Sequence, residues 1–331
     1  MTKQRRYAMA ASSGRTAALR RPVRILLSLP ALLLLIPVIV AGATAVPPEA
    51  ARISVVVSSN LKPYMETLQG LEAGLQAAAA ATPTVHFLDP LNDPSHTLLA
   101  GILQKQDPDL LISVGPEAMA FCWNAFADQP PPMVYSMVLH PHRVVPEAPS
   151  LCGISLSLAP DLQLRHFQHA FPRLERLGLI FDPAHNEPFA VAAATAAERL
   201  GITLVPLAVR QRQEIPSVLD RHWHDIEALW VIPDATVISE SLVHFIIKRA
   251  LTHGVPVFGY NQFFADSGAA LALVCDYEAI GRQAAEAATA LLQGRPCPAT
   301  HPAHEVVLNE RVLQALGMTA SPPPDRPGEA P

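Results

Sequence analysis

GVPVFGYNQFFADSGAALALVCDYEAIGRQAAEAATALLQG, residues 254–294, contains the transition on which the fold turns. VPVFG (255–259) is a short apolar run bounded by glycines and reads as a buried strand. ALALVC (270–275) reads as a second one. Asp276 then supplies a helix N-cap, and Gly294 with Pro296 a stop, so 276–294 is expected to be a helix. Between the strands lie Tyr260, Asn261, Phe263, Phe264 and Asp266. A solvated turn would be poorer in aromatics and amides. This one is expected at the rim of a binding cleft, with Gly268 in a tight turn before the chain leaves.

The same alternation extends outward in both directions. ISVVV (53–57), VHFL (85–88), DLLISVG (109–115) and MVYSMVL (133–139) are strand-like, each followed by a helical pattern. HPHRVVPEAPSLCG (140–153) is Pro-rich and aperiodic and is expected to cross between lobes. A second series follows: a helix near 160–170, a strand at 176–183, an Ala-rich helix at 187–200, and a strand from Ile202. ALWVI (228–232) and a helix at 239–253 then lead into the quoted stretch. Buried strands alternating with helices imply parallel sheets covered on both faces. The expected fold is α/β, with two Rossmann-like lobes. SPPPDRPGEAP (321–331) is too polar and Pro-rich to pack, and a disordered tail is expected from 319.

The N-terminal segment is of a different kind. Lys3, Arg5, Arg6, Arg15, Arg20, Arg21 and Arg24 precede the uncharged run Ile25–Gly42, and Ala43-Thr44-Ala45 follows. This is the pattern of a secretory signal peptide over 1–45, and a periplasmic or other extracytoplasmic location is expected. An uncleaved anchor is the alternative, disfavoured by Pro30 and Pro37. The chain carries 24 basic and 29 acidic residues. Without the seven basic residues of the leader, 17 basic face 29 acidic residues, a net of −12 with His neutral. Such a domain is a poor nucleic-acid binder. Cys122, Cys152, Cys275 and Cys297 show no metal-type spacing, and both disulfides and buried thiols remain open.

In open parallel sheets, ligands sit beyond the carboxyl ends of the strands. That places Ser58, Ser59 and Asn60 at the cleft, though short polar residues also cap helices. Gly115, Pro116 and Glu117 open a helix whose free N–H groups suit an anion, or form a plain turn. Asp89 follows the second strand, His140 the fourth, and His185 the strand of the second lobe. His140, His142 and His185 raise a metal reading, but HxH spacing alone does not carry it. Neither a metal nor a cofactor is expected. Tyr260 and Asn261 complete the set, since a ring at a lobe edge stacks on a ring or covers an ammonium.

ALWVIPDATVISES (228–241), GVPVFGYNQFFADSGAALAL (254–273) and DYEAIGRQAAE (276–286) together resemble the ABC-transporter substrate-binding family with the type I periplasmic binding-protein fold. Its described members include binders of aromatic amino acids. The resemblance implies three hinge crossovers, with residues 52–150 plus 275–298 in one lobe and 154–270 plus 302–318 in the other, capture of a small polar ligand in an interlobe cleft, and delivery to an ABC permease by a monomer. It also places Asp234 near a ligand ammonium, the other reading of Asp234 being a helix cap. Ala235 stands where members often carry Asn, and Glu117 where many carry a hydroxyl residue. An amino acid or similar zwitterion is the implied ligand. No G-x-S-x-G, H-E-x-x-H or P-loop is present, and no enzyme is expected. An exported sensor serving a membrane receptor or kinase is the alternative.

Overall fold

The computed structural model describes residues 51–88, 93–127, 129–237 and 239–323. The expected signal peptide and Asp89 lie outside them. The chain begins with β1 (Ile53–Val57), α1 (Lys62–Ala77), β2 (Thr84–Phe87), α2 (Asp93–Gln106), β3 (Leu110–Val114), α3 (Pro116–Ala125), β4 (Met133–Val138), α4 (Pro141–Val144) and β5 (Leu151–Ser155). These strands form one parallel sheet in the order β2-β1-β3-β4-β5. Next come α5 (Pro160–Ala170), β6 (Arg176–Phe181), α6 (Pro183–Arg199), β7 (Thr203–Ala208), α7 (Ile215–His222), β8 (Ala228–Val231), α8 (Glu240–Thr252), β9 (Val257–Gly259), α9 (Gln262–Ser267) and β10 (Leu271–Cys275). The chain continues with α10 (Tyr277–Leu292), β11 (His304–Leu308) and α11 (Glu310–Ala315). The second sheet runs β11-β10-β9-β8-β6-β7, parallel except for the β10–β11 pair. The strands are apolar on both faces because helices cover both, as Leu110–Val114 and Ala228–Val231 show by complete burial.

The first crossover differs from the expected one. Residues 141–144 are helical, and Leu151–Ser155 pairs parallel with β4, so the first lobe extends to 155 and the chain crosses at 156–159. LCGIS is a half-buried edge strand, and its Gly, Ser and Cys weaken the apolar signal that marks central strands. The second crossover is abrupt. β10 stays in the second sheet to Cys275, and Asp276 caps α10 at once by accepting the Ala279 N–H at 2.9 Å. Helix α10 then packs on α1 in the first lobe, where Leu68, Leu71 and Leu75 meet Ile280, Ala284 and Ala288. The approach is close: a Cβ on Gly281 would lie 2.1 Å from the Thr67 carbonyl oxygen. After 295–303 the chain returns as β11. The described start of the tail also packs. Met318 and Ala320 rest on the second-lobe core, and the Ser321 N–H donates to the Ala170 carbonyl at 2.9 Å. Residues 319–323, expected in a disordered tail, are therefore held against the second lobe, because Ala320 finds an apolar surface to cover and Ser321 a backbone acceptor.

Two contacts hold the first and third crossovers side by side. Cys152 and Cys297 form a disulfide at their first-lobe ends, and Cys122 and Cys275 remain free. At their second-lobe ends, buried His166 of α5 and His304 of β11 lie 3.0 Å apart through their Nε2 atoms. His304 Nδ1 is 2.9 Å from the Pro302 carbonyl and must donate to it. Its Nε2 is then an acceptor, His166 Nε2–H the donor, and His166 Nδ1 a bare, buried nitrogen with no bonded partner. Burial, then the neighbouring His304, His169 and Arg165, pushes His166 down to about 4, and burial lowers His304 as well. A histidine held neutral in the fold but free to protonate when unfolded contributes stability above about pH 6.5, which is lost as pH falls toward the folded value. Urea titrations at pH 7 and pH 4.5 should show His166→Phe losing less stability on acidification than the wild type, by roughly 2–3 kcal/mol. Equal losses would mean that the pair does not couple to folding.

Candidate functional site

Where the crossovers pass between the lobes they enclose a cavity of about 280 Å³. Its first-lobe side is made by Leu139 and His140, which follow β4, and by Leu156 and Ser157 of the first crossover. Its second-lobe side is made by Phe189 of α6, Ile232 and Pro233 after β8, and Tyr260 and Asn261 after β9. Cys275 and Tyr277 close it from the second crossover. Ile232, Pro233, Tyr260 and Asn261 follow the carboxyl ends of the parallel strands β8 and β9, where side chains project beyond the sheet.

Behind this wall lies a buried polar network. Asp234 is 2% exposed. Its Oδ2 accepts the Asp182 N–H and the Asn186 Nδ2–H, each at 2.7 Å, and its Oδ1 accepts the Thr236 N–H at 2.8 Å. Asp182, also buried, accepts the Thr236 hydroxyl at 2.7 Å and caps α6 through the Ala184 N–H at 2.9 Å. The Thr236 hydroxyl, more than any other group, holds the Asp182 carboxyl below the usual carboxylate range. Asn186 reaches Asp234 because the backbone leaves helical geometry there, at φ −129°, just ahead of Pro188. Among the described residues, neither carboxylate pairs with Lys or Arg. His185 Nδ1, 3.2 Å from Asp182 Oδ2, is the nearby titratable base. The charge reaches the cavity: Tyr260 is pushed up to about 12, by burial first and by Asp234 second.

The expected site residues divide into two groups. His140, Tyr260 and Asn261 line the cavity, and Asp234 stands behind Pro233. Asn261 also caps α9, a helix where the sequence suggested a loop, by accepting the Phe264 N–H through Oδ1 at 3.2 Å. Burial, then Arg143 and His142, lowers His140. His185 is exposed and lies outside the lining; its carbonyl accepts a hydrogen bond from Arg143 of α4 on the other lobe. Ser58, Ser59, Asn60, Gly115, Pro116 and Glu117 gather at the ends of β1 and β3, outside this lining. Ser58 is buried, and its Oγ accepts the Ala118 N–H of α3 at 2.9 Å. Gly115 has φ +100°, and a Cβ there would meet Ser58 Oγ at 2.4 Å. Ser59 is half-buried, while Asn60 and Glu117 are exposed. Sequence reasoning missed Asp182, Asn186, Phe189 and Tyr277. A signal was present for three of them, since DPAHNEP (182–188), which holds Asp182 and Asn186, follows a strand and Tyr277 directly follows the cap of α10. Among the described residues, no group of three or more His, Cys, Asp or Glu is placed to hold a metal ion.

Residues 51–322 match the family described as ABC transporter substrate binding protein. The chain belongs to this family. A curated relative, the tyrosine-binding protein of Clostridioides difficile (strain R20291), is 22% identical over 247 residues, covering 71% of this chain and 70% of the relative. Among solved structures, a substrate-binding protein with adhesive properties from Clostridium difficile, in its ligand-free, open structure, has a TM-score of 0.68 at 19% identity. That match covers 83% of this chain and 97% of the other. A Streptococcus pneumonia ABC domain in complex with L-Trp has a TM-score of 0.55 at 18% identity, covering 82% and 96%. The type I periplasmic binding-protein fold is thus shared across this family member and its structural neighbours. No described helix is long and apolar enough to cross a membrane.

Proposed function

We propose that this family member is an exported solute-binding protein that captures a small molecule bearing an ammonium group and delivers it to an ABC permease. The zwitterionic amino acids are the first class to test, given a tyrosine-binding relative and a neighbour complexed with L-Trp. The observation that carries the reading is the interlobe cavity, walled by Tyr260, Tyr277 and Phe189 and backed by Asp182 and Asp234. Aromatic faces and nearby carboxylates both favour a cation, and closure of the lobes strengthens both by excluding water. The N-terminal basic and apolar run supports export. Hinge closure about the three crossovers would present the loaded form to the permease.

Titration calorimetry against a panel of amino acids and amines is the direct test. Tyr260→Ala should weaken the bound ligand at least about tenfold, the loss of one aromatic contact in a desolvated site. Its circular dichroism should match the wild type, and its melting temperature should fall only modestly, since the ring also packs on Phe264 at the edge of the second-lobe core. An unchanged dissociation constant would place the ligand elsewhere.

A further inference from the structure

We propose that the preferred ligand of this cleft is an organic cation, an aromatic or apolar primary amine that lacks a carboxylate. The inference rests on the ammonium reading above and narrows it.

A zwitterion needs a place for its anion as well as its cation. The second-lobe wall offers no cationic group for the anion: Asp182 and Asp234 stand behind Tyr260 and Asn186, neither is neutralised by Lys or Arg among the described residues, and the donors of this wall are uncharged amides and hydroxyls. Two guanidinium groups approach from outside the lining. Arg143 donates to the His185 carbonyl, and Arg212 donates to the Ala235 carbonyl at 3.2 Å. Both are exposed.

The first lobe is no better suited to an anion. The start of α3, which could hold a carboxylate on free N–H groups, has most of its donors engaged. Pro116 has no N–H, the Ala118 N–H is bonded to Ser58 Oγ, and the Met119 N–H to the Gly115 carbonyl at 3.0 Å. Glu117 adds a negative charge at the same turn, and it contributes, after burial, to raising the hydroxyl of Tyr64. Glu66 acts in the same sense on Tyr277, after burial and Cys275. Glu66 thus bears on the cavity through Tyr277, Glu117 stands at a turn outside the lining, and Arg143 acts in the opposite sense on His140 of the lining. Much of the surface left for the body of the ligand is apolar: Leu139, Leu156, Ile232 and the rings of Phe189, Tyr260 and Tyr277. Rings that flank carboxylates unpaired with Lys or Arg suit a cation with an apolar body. The same charges reject a ligand carboxylate, which is selection by repulsion.

Calorimetry on the unmodified mature protein decides it, with tyramine against tyrosine and phenethylamine against phenylalanine. Each amine is expected to bind at least about tenfold more tightly than its parent amino acid. Arg143→Ala should leave the amine affinities unchanged. If the amino acids bind as tightly as the amines or more so, the inference is overturned while the ammonium reading stands. Loss of tight amino-acid binding in Arg143→Ala would then identify the missing anion site. If neither class binds, both the inference and the ammonium reading fail.

Discussion

Asp234→Ala is expected to lower folding stability by about 3 kcal/mol or more, because it orphans three buried donors at once. The Asp182 N–H, the Asn186 Nδ2–H and the Thr236 N–H all end on this carboxylate, and it is 2% exposed, so water cannot readily replace it. Each unsatisfied donor costs on the order of 1–3 kcal/mol. Relief of the repulsion between Asp234 and Asp182 offsets part of the sum. Asp234→Asn keeps one acceptor oxygen in place and should lose about half as much. Urea unfolding of the three proteins at pH 7 measures the series. A ligand contact behaves differently: stability would fall by less than about 1 kcal/mol while affinity collapsed. That outcome would show that Asp234 faces the ligand and does not primarily organise the loop.

Loss of the Cys152–Cys297 bridge is the second large effect. The two residues are 145 apart in sequence, so the bridge closes a long loop in the unfolded chain. The double variant Cys152→Ser/Cys297→Ser should lose about 3–4 kcal/mol, a fall in Tm of about 5–7 °C for a chain of this size. Dithiothreitol should bring the wild type to the same Tm and leave the variant unmoved. A difference under about 2 °C between oxidised wild type and variant would mean that the chain already brings β5 and the third crossover together unaided. The bridge joins the first-lobe ends of two crossovers, so its loss should also loosen the hinge, read as a wider range of interlobe distances by small-angle scattering.

The two predictions bear on different parts of what the sequence revealed. Asp234 was legible as a polar residue after a strand, with cap and ligand contact both open, because Pro-Asp after an apolar run is turn chemistry in either case. Its three donors come from residues up to 52 positions away, and only the fold brings them together. The cysteines show the same limit more sharply. Four thiols permit several pairings, and spacing could not select Cys152 with Cys297. The cap Asp276, by contrast, bonds an N–H three residues on and was read directly, whereas Asn261, which caps α9 in the same way, was read as a cleft residue on a loop. The edge strand Leu151–Ser155 was lost because one half-buried face leaves too weak an apolar pattern.

What the chain determines by itself is therefore local or periodic. Runs such as LLISV and ALWV specify buried parallel strands, and Asp276 and Gly294 bound a helix. The residue patterns around 228–286 carry the family. Tertiary structure alone decided that α10 leaves the second sheet to pack on α1, that His166 finds His304, and that Asp182 and Asp234 share one loop behind Tyr260. These depend on contacts between residues far apart in sequence, where neither turn chemistry nor periodicity acts. Burial there sets which polar groups must be paired, and that requirement becomes visible only once the chain is folded.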